Sequence, residues 1–156
     1  MSDPVILEKS TCIPQAERLV VLIPEYSLDL NMLGRIIRDL AWRRVKTVVF
    51  VCVVREPFDG VHMQHVLSYL AAIVHDPFLH AETVIQVETT WIKALRSISR
   101  PGDIFVALSD HKIRQWIFWS EALAELVTRR FDFPVYVLPV SNGVTNNREH
   151  THEGKP

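Results

Sequence analysis

An unbroken apolar run, VVFVCVV, occupies residues 48–54, and a second run, LVVLI, occupies residues 19–23 before Pro24. Apolar runs of this length predict strands that are buried on both faces, as in parallel sheets. Between them, leucine, isoleucine and alanine recur at helical spacing from residue 30 to residue 41. This spacing predicts an amphipathic helix. The pattern is therefore a strand, a helix and a strand, which is the repeating unit of a parallel α/β sheet.

The same alternation continues toward the C-terminus. The further predicted elements are a helix at 66–74, a more exposed strand at 82–88, a short helix at 91–98, a strand at 104–108, a long helix at 112–130 and a last strand at 133–140. Strands that alternate with helices pair in parallel, so we predict an α/β domain with a five-stranded, doubly wound parallel sheet and helices on both faces. The domain spans residues 17–140, between an N-terminal arm at 1–16 and a polar tail at 141–156 that is predicted to be disordered.

Composition narrows the class of protein. A chain of 156 residues corresponds to one domain, and its net charge of −1 provides no long-range attraction for nucleic acid or an anionic membrane. The sequence shows neither a signal peptide nor a run of ~20 apolar residues, so we expect a cytoplasmic protein without membrane insertion. The two cysteines, Cys12 and Cys52, suggest neither a disulfide framework nor a zinc site. Cys52 is interpreted as a buried thiol that packs like a small apolar side chain.

No catalytic constellation is found in the sequence. Ser109, Asp110 and His111 are the residue types of a hydrolase, but three adjacent residues cannot converge as a triad. His62 and His65 share a helix face, but no acidic residue at i+3 or i+4 completes a metal motif, and they are interpreted as part of a solvated face. We therefore expect no enzyme and no metal site. A small hydrolase or nucleotidyl enzyme that uses Glu25 or Asp110 is a weaker alternative.

Several local motifs, taken in order, resemble the universal stress protein family. They are Ile23-Pro24 at the end of the first strand, Pro101-Gly102-Asp103 before the fourth, Trp119-Ser120-Glu121 in the last helix and Phe133-Pro134-Val135 at the last strand. The resemblance covers residues 17–140 and implies the strand order 3-2-1-4-5. It also implies a homodimer formed through the last strand, with Val135, Val137 and Val140 at the contact.

The chain departs from this family at the phosphate-binding loop. ATP-binding members carry Gly-x-x-Gly, nine residues and then Gly-Ser or Gly-Thr after the fourth strand. Glycine lets backbone N–H groups approach phosphate oxygens. Here residues 103–142 contain no glycine, and Tyr26 stands where the family has the acidic residue that meets adenine. Compared with the family it resembles, the chain has lost these binding residues. This loss implies that the chain has no cofactor and does not bind ATP or ADP in the usual manner.

A candidate crevice follows from the predicted sheet, because open parallel sheets bind ligands beyond the carboxyl ends of their strands. The residues that this rule and the resemblance bring together are Pro24, Glu25, Tyr26, Ser27, Val54, Ser109, Asp110, His111, Lys112, Arg114 and Ser120. The serines can hydrogen-bond an anion, and the basic side chains can supply the positive charge that a glycine loop would not. Asp110 can instead cap the helix that follows it.

The predicted long helix carries four consecutive large apolar residues at 116–119. They point around the whole helix, so one face against the sheet cannot bury them all. At least one large ring needs another cover, which is the crevice, the N-terminal arm or a second chain, and packing within the monomer stays an equal alternative. Trp119 is the candidate for contact with a second chain. We therefore predict a non-catalytic binding or regulatory module that is homodimeric and has a protein partner. One version is a soluble regulatory domain related to those fused to transporters. The alternative is a nucleotide-binding stress protein with a substituted phosphate loop.

Overall fold

The computed structural model describes residues 5–6, 13–23, 29–54, 59–88, 90–109 and 133–139. The strands are β1 (Val5–Ile6), β2 (Ala16–Leu22), β3 (Val45–Val54), β4 (His80–Val87), β5 (Ile104–Ser109) and β6 (Val135–Pro139). The helices are α1 (Leu30–Ala41), α2 (Asp59–Val74) and α3 (Trp91–Ile98). The predicted helix at 112–130 and the C-terminal tail lie outside the described residues.

The strands form one parallel sheet in the order β1-β6-β5-β2-β3-β4. Without β1, this is the predicted order 3-2-1-4-5 read from the other side, so the predicted fold class is confirmed. The central strands β2 and β3 are almost entirely buried, whereas the edge strand β4 is half-buried or exposed along its length. This difference matches the unbroken apolar runs of the first two predicted strands and the mixed composition of the third.

The N-terminal arm contributes to the sheet and to the core. β1 pairs with β6 through Val5–Tyr136 and Ile6–Val137, which adds a sixth strand. Ile13 is only 1% exposed and belongs to the main hydrophobic cluster. The packed domain therefore begins on the N-terminal side of residue 17. The two-residue strand β1 and the single buried residue Ile13 are too short to produce a periodic pattern in the sequence.

The two faces of the sheet are covered by different helices. On one face, α1 and α2 pack over a cluster that includes Leu33, Ile37, Phe50 and Leu67. Cys52 is also fully buried there, as predicted. On the other face, Leu95 of α3 lies in a smaller cluster with buried residues of β2, β3, β5 and β6. The described domain therefore has helices on both sides of its sheet, the arrangement of a doubly wound fold.

Local interactions set the ends of α1 and its approach to α2. The Asp29 side chain caps the first turn by accepting the Met32 N–H at 3.1 Å. At the other end, Arg43 adopts φ 62°, which turns the chain into β3. Gly34 lies against Ile73 so closely that a β-carbon at this position would come within 2.8 Å of that side chain. The close approach holds α1 and α2 together as one layer.

Candidate functional site

The carboxyl end of the sheet is where a ligand of this fold would bind. Val54 is the last residue of β3, is fully buried, and lies opposite Val87 of β4. Its carbonyl accepts the Glu88 N–H at 3.0 Å, so this backbone oxygen already has a partner. Of the predicted crevice residues, Val54 therefore provides apolar surface and no polar group.

The ends of the neighbouring strands are also apolar where the structure describes them. Ile23 follows β2 and is fully buried, and its N–H donates to the Val51 carbonyl at 2.8 Å. Leu108 of β5 is 2% exposed. Ser109 is the last residue of β5, where its backbone lies opposite Pro139 of β6. Ile23, Val54 and Leu108 together form an apolar floor beneath the carboxyl end of the sheet.

The structure places two of the predicted crevice residues, Val54 and Ser109, at the carboxyl ends of β3 and β5, with β2 between them. The others lie outside the described residues: Pro24, Glu25, Tyr26, Ser27, Asp110, His111, Lys112, Arg114 and Ser120. Their part in binding stays a prediction. Ile23, Val54 and Leu108 offer a ligand no polar side chain.

β1 lies at the edge of the sheet at which the sequence predicted a dimer contact. Val135 is 3% exposed and Val137 is half-buried, and both pack in the cluster on the α3 face. On the outer side of β6, β1 pairs at Tyr136 and Val137, so the last predicted strand is not the outermost one. Trp119 and Val140, the other predicted contact residues, lie outside the described residues.

The opposite, amino end of the sheet contains a buried ion pair. Arg18 of β2 donates to Asp103 through two nitrogens, with Nε–Oδ1 3.0 Å and Nη2–Oδ2 2.8 Å. The same Nη2 donates to the Ile98 carbonyl at the end of α3, at 2.8 Å. The second Asp103 oxygen also accepts the Arg100 N–H at 2.9 Å. This bidentate geometry fixes the α3–β5 turn against β2.

The electrostatic consequence is clearest for Arg18. Its side chain is 11% exposed and that of Asp103 is 2% exposed, so both charges are largely removed from water. The hydrogen bond to Asp103 raises the pKa of Arg18 above its ordinary value, against the opposing effect of burial. Arg18 is therefore charged throughout the physiological range, which suits a structural contact better than proton transfer.

Sequence reasoning recognised Asp103 as a motif residue but missed Arg18. Leu19 lies opposite Ile104 in the register of β2 and β5, which brings the preceding residues Arg18 and Asp103 side by side. The available signal was a charged residue directly before each of two apolar runs. That signal becomes specific only when the two strands are known to be neighbours.

The described residues contain no group of three or more histidine, cysteine, aspartate or glutamate side chains arranged to hold a metal ion. Among the described helices, none has the length and apolar character needed to cross a membrane. His75 and His80 do approach each other, with ring centroids 5.9 Å apart, and His80 lies 3.6 Å from Glu82. These side chains join the end of α2 to the start of β4 at the surface.

Comparisons with known proteins bear on the fold. No protein-family model and no curated protein sequence matches this chain. Among solved structures, the chain is similar to a universal stress protein from Archaeoglobus fulgidus, with a TM-score of 0.53 and 16% sequence identity. The match covers 79% of this chain and 93% of that chain. The described domain therefore has the fold of a universal stress protein.

Proposed function

We propose that this chain is a non-catalytic binding or regulatory module of the universal-stress-protein type that does not bind ATP in the family's usual manner. One observation carries the proposal. Ile23, Val54 and Leu108, at or beside the ends of β2, β3 and β5, form an apolar floor, and the connection that begins after Ser109 contains no glycine. Glycine is the residue that lets backbone N–H groups approach phosphate oxygens in the family's usual site.

The physical argument concerns the charge of a triphosphate. Phosphate oxygens that leave water need N–H groups, cations or a metal ion to replace their hydration. Ile23, Val54 and Leu108 provide no side-chain donor, and the Val54 carbonyl is an acceptor that already receives the Glu88 N–H. Asp110, which follows β5 directly in the sequence, adds a negative charge that repels a triphosphate. ATP is therefore disfavoured at this end of the sheet.

We further propose that the module acts as a homodimer through the β6 side of its sheet. Among the described residues, β1 pairs with β6 at two positions, Val5–Tyr136 and Ile6–Val137. A very short edge strand leaves little backbone committed to pairing within the monomer. A second copy can therefore extend the sheet outside β1 or replace it along β6.

Native mass spectrometry followed by calorimetric titration tests this function. The purified chain is first weighed under native conditions, and ATP and ADP are then titrated into it with and without magnesium. We expect a dimer mass, no co-purified nucleotide and no binding heat, because Ile23, Val54 and Leu108 offer no side-chain donors and the connection after Ser109 has no glycine. Micromolar binding, or a nucleotide that co-purifies, would contradict the proposal.

If a nucleotide does bind, the substituted loop is the place to look for its contacts. Loss of affinity in Lys112→Ala and Arg114→Ala would then assign binding to that loop, whereas indifference to both would place the nucleotide elsewhere. A monomer mass at concentrations well above those in the titration would contradict the homodimer, independently of the nucleotide result.

A further inference from the structure

The outer surface of α1 and α2 combines arginine and aromatic side chains. Arg35 and Arg38 are exposed on α1, and Arg43 is exposed in the turn that follows it. Trp42, at the end of α1, and Tyr69 of α2 are each 45% exposed despite their large apolar area. We call these five residues the arginine–aromatic surface. Arginine, tryptophan and tyrosine are the residue types that most often dominate binding energy at protein interfaces.

The geometry of the helices makes this surface continuous. Arg35, Arg38 and Trp42 follow each other at three- and four-residue spacing, which places them along one side of α1. The opposite side of α1 is anchored in the core by residues that include Leu33 and Ile37. The surface extends onto α2 because the Tyr69 hydroxyl donates to Asn31 Oδ1 of α1 at 2.8 Å. That contact lies one turn before Arg35.

Among the described residues, no ion pair neutralises the positive charge of this surface. Four of the ten residues from Arg35 to Arg44 are arginine, and Asp39 is the single acidic residue among them. Within the described part of the chain, ion pairs join Arg18 to Asp103, Lys46 to Glu17 and His80 to Glu82, and none involves these four arginines.

The adjacent helix is poor in carboxylates. After its first residue, Asp59, the sequence of α2 contains no aspartate or glutamate up to its end at Val74. Asp76 follows the helix, and its carboxylate accepts the Phe78 N–H at 2.7 Å within its own turn. A local excess of guanidinium groups thus stands on a protein whose net charge is −1.

We propose that the arginine–aromatic surface binds an acidic segment of a partner protein, with glutamate or aspartate carboxylates on the arginines and apolar side chains against Trp42 and Tyr69. Guanidinium groups recognise carboxylates in a bidentate manner. Arg43 lies over the Trp42 ring, 4.4 Å from its centroid, and so covers part of the side chain that a membrane-binding surface would insert into lipid. The limited number of cations on one helix also falls short of the ~6–10 phosphate contacts typical of duplex binding.

Fluorescence anisotropy with a fluorescein-labelled peptide of Glu-Glu-Leu repeats tests this proposal. The full chain is titrated into the peptide at low ionic strength and again at raised salt. We expect saturable binding that weakens with salt, because salt screens exposed charges. The charge reversal R35E/R38E is expected to weaken binding by at least about tenfold, since it places like charges against the peptide. R35Q/R38Q, which removes the charges without adding acids, is expected to weaken it by a smaller factor.

A matched control is available on the other side of the sheet. Lys93 and Arg96 are exposed on α3 and have the same three-residue spacing as Arg35 and Arg38. K93E/R96E therefore makes the same change in net charge and should bind the peptide within about threefold of the parent chain. Circular dichroism of each variant verifies that it is folded before its affinity is compared.

Three outcomes would overturn the proposal: no saturable binding of the acidic peptide, an equal loss in both charge reversals, or tighter binding of single-stranded DNA or phosphatidylglycerol vesicles that R35E/R38E abolishes. The inference rests on the proposed binding function, but the two fail separately. If the chain is a nucleotide-free dimer that ignores the peptide, only the inference fails. If ATP binds, the proposed function fails whatever the peptide does.

Discussion

The amino and carboxyl ends of the sheet differ in what they bury. At the amino end, Arg18 and Asp103 bring two opposite charges out of water and satisfy them with each other and with backbone groups. At the carboxyl end, Ile23, Val54 and Leu108 bury only apolar side chains. Ligands of parallel α/β sheets bind at the carboxyl end. In the described domain, the buried charges of Arg18 and Asp103 therefore lie at the amino end of the sheet, where they stabilise the fold. They lie away from the carboxyl end, where ligands of this fold bind.

This difference has an energetic meaning that can be measured. A buried ion pair contributes little net stability over well-packed apolar residues, but removal of one partner leaves an uncompensated charge. The apolar floor contains no charge that a substitution could leave unpaired. Its contribution to the free energy of unfolding is set by the apolar area removed from water. The variants below perturb each end in turn, from the largest expected effect to the smallest.

The largest effect is expected at the amino end. Asp103→Ala leaves Arg18 charged and without its buried partner, so the free energy of unfolding should fall by about 3–5 kcal/mol. Because the pKa of Arg18 is raised above its ordinary value, its charge is fully present at every pH below that ordinary value and is lost only at higher pH. Titration of Arg18 should thus make no difference to the loss between neutral pH and pH 9. Urea denaturation followed by circular dichroism measures it.

The double variant Arg18→Met/Asp103→Leu is the companion to this measurement. Two apolar side chains of similar volume should recover most of the stability, because no buried charge then remains. If Asp103→Ala costs less than about 1 kcal/mol, the pair behaves like an exposed ion pair and the contrast between the two ends disappears.

A smaller effect is expected at the carboxyl end. Val54→Thr keeps the shape of the side chain but introduces a hydroxyl into the apolar floor, which should cost about 1–3 kcal/mol. Thr47→Val, at the half-buried amino end of the same strand, is the matched control and should change stability by no more than about 0.5 kcal/mol. A tolerated threonine at residue 54 would mean that the floor has access to water or a polar partner.

Two glycines sharpen the comparison further. Gly102 precedes β5 at the amino end with φ +87°, so Gly102→Ala should destabilise the fold by about 1 kcal/mol although a β-carbon there meets nothing within 4 Å. Gly60 lies in the first turn of α2 at the carboxyl end, where a β-carbon would stand 3.4 Å from Ile85. Gly60→Ala should therefore stabilise the protein by about 0.5 kcal/mol through helix propensity. Thermal unfolding of the two variants, side by side, tests whether their signs are opposite.

The smallest effect is expected for an exposed ion pair near the buried one. Glu17 lies 3.3 Å from Lys46, but both side chains are more than 70% exposed. Glu17→Ala should change the free energy of unfolding by less than about 1 kcal/mol, since water and salt screen the pair. A loss comparable to that of Asp103→Ala would show that burial does not distinguish the two pairs.

Much of the fold could be predicted from residue periodicity. The apolar runs of β2 and β3 and the helical spacing of α1 are local signals in the sequence. The observed bounds of α1 and α3 match the predicted ranges 30–41 and 91–98. The apolar residues that indicated α2 lie at 66–74, and the structure begins this helix earlier, at Asp59. Its first turns contain Gly60 and two exposed histidines, which interrupt the apolar pattern on which the prediction relied.

The candidate site was less predictable than the fold. The sequence places Val54 and Ser109 at the ends of strands, and the structure agrees. It does not reveal that Val135 is buried or that β1 pairs with β6, because a two-residue strand has no detectable pattern of its own. The glycine-free connection after β5, in contrast, is visible in the sequence alone and carries most of the functional proposal.

The sequence by itself determined the alternation of strands and helices and the loss of the phosphate-binding glycines, because both are encoded by residues that are close together in the chain. Only the tertiary structure decided that Arg18 meets Asp103, 85 residues away, and that Tyr69 of α2 joins the arginines of α1 on one surface. Such contacts depend on which strands are neighbours, on their register and on how closely two helices approach. Those quantities result from packing the whole domain, so no local stretch of sequence contains them.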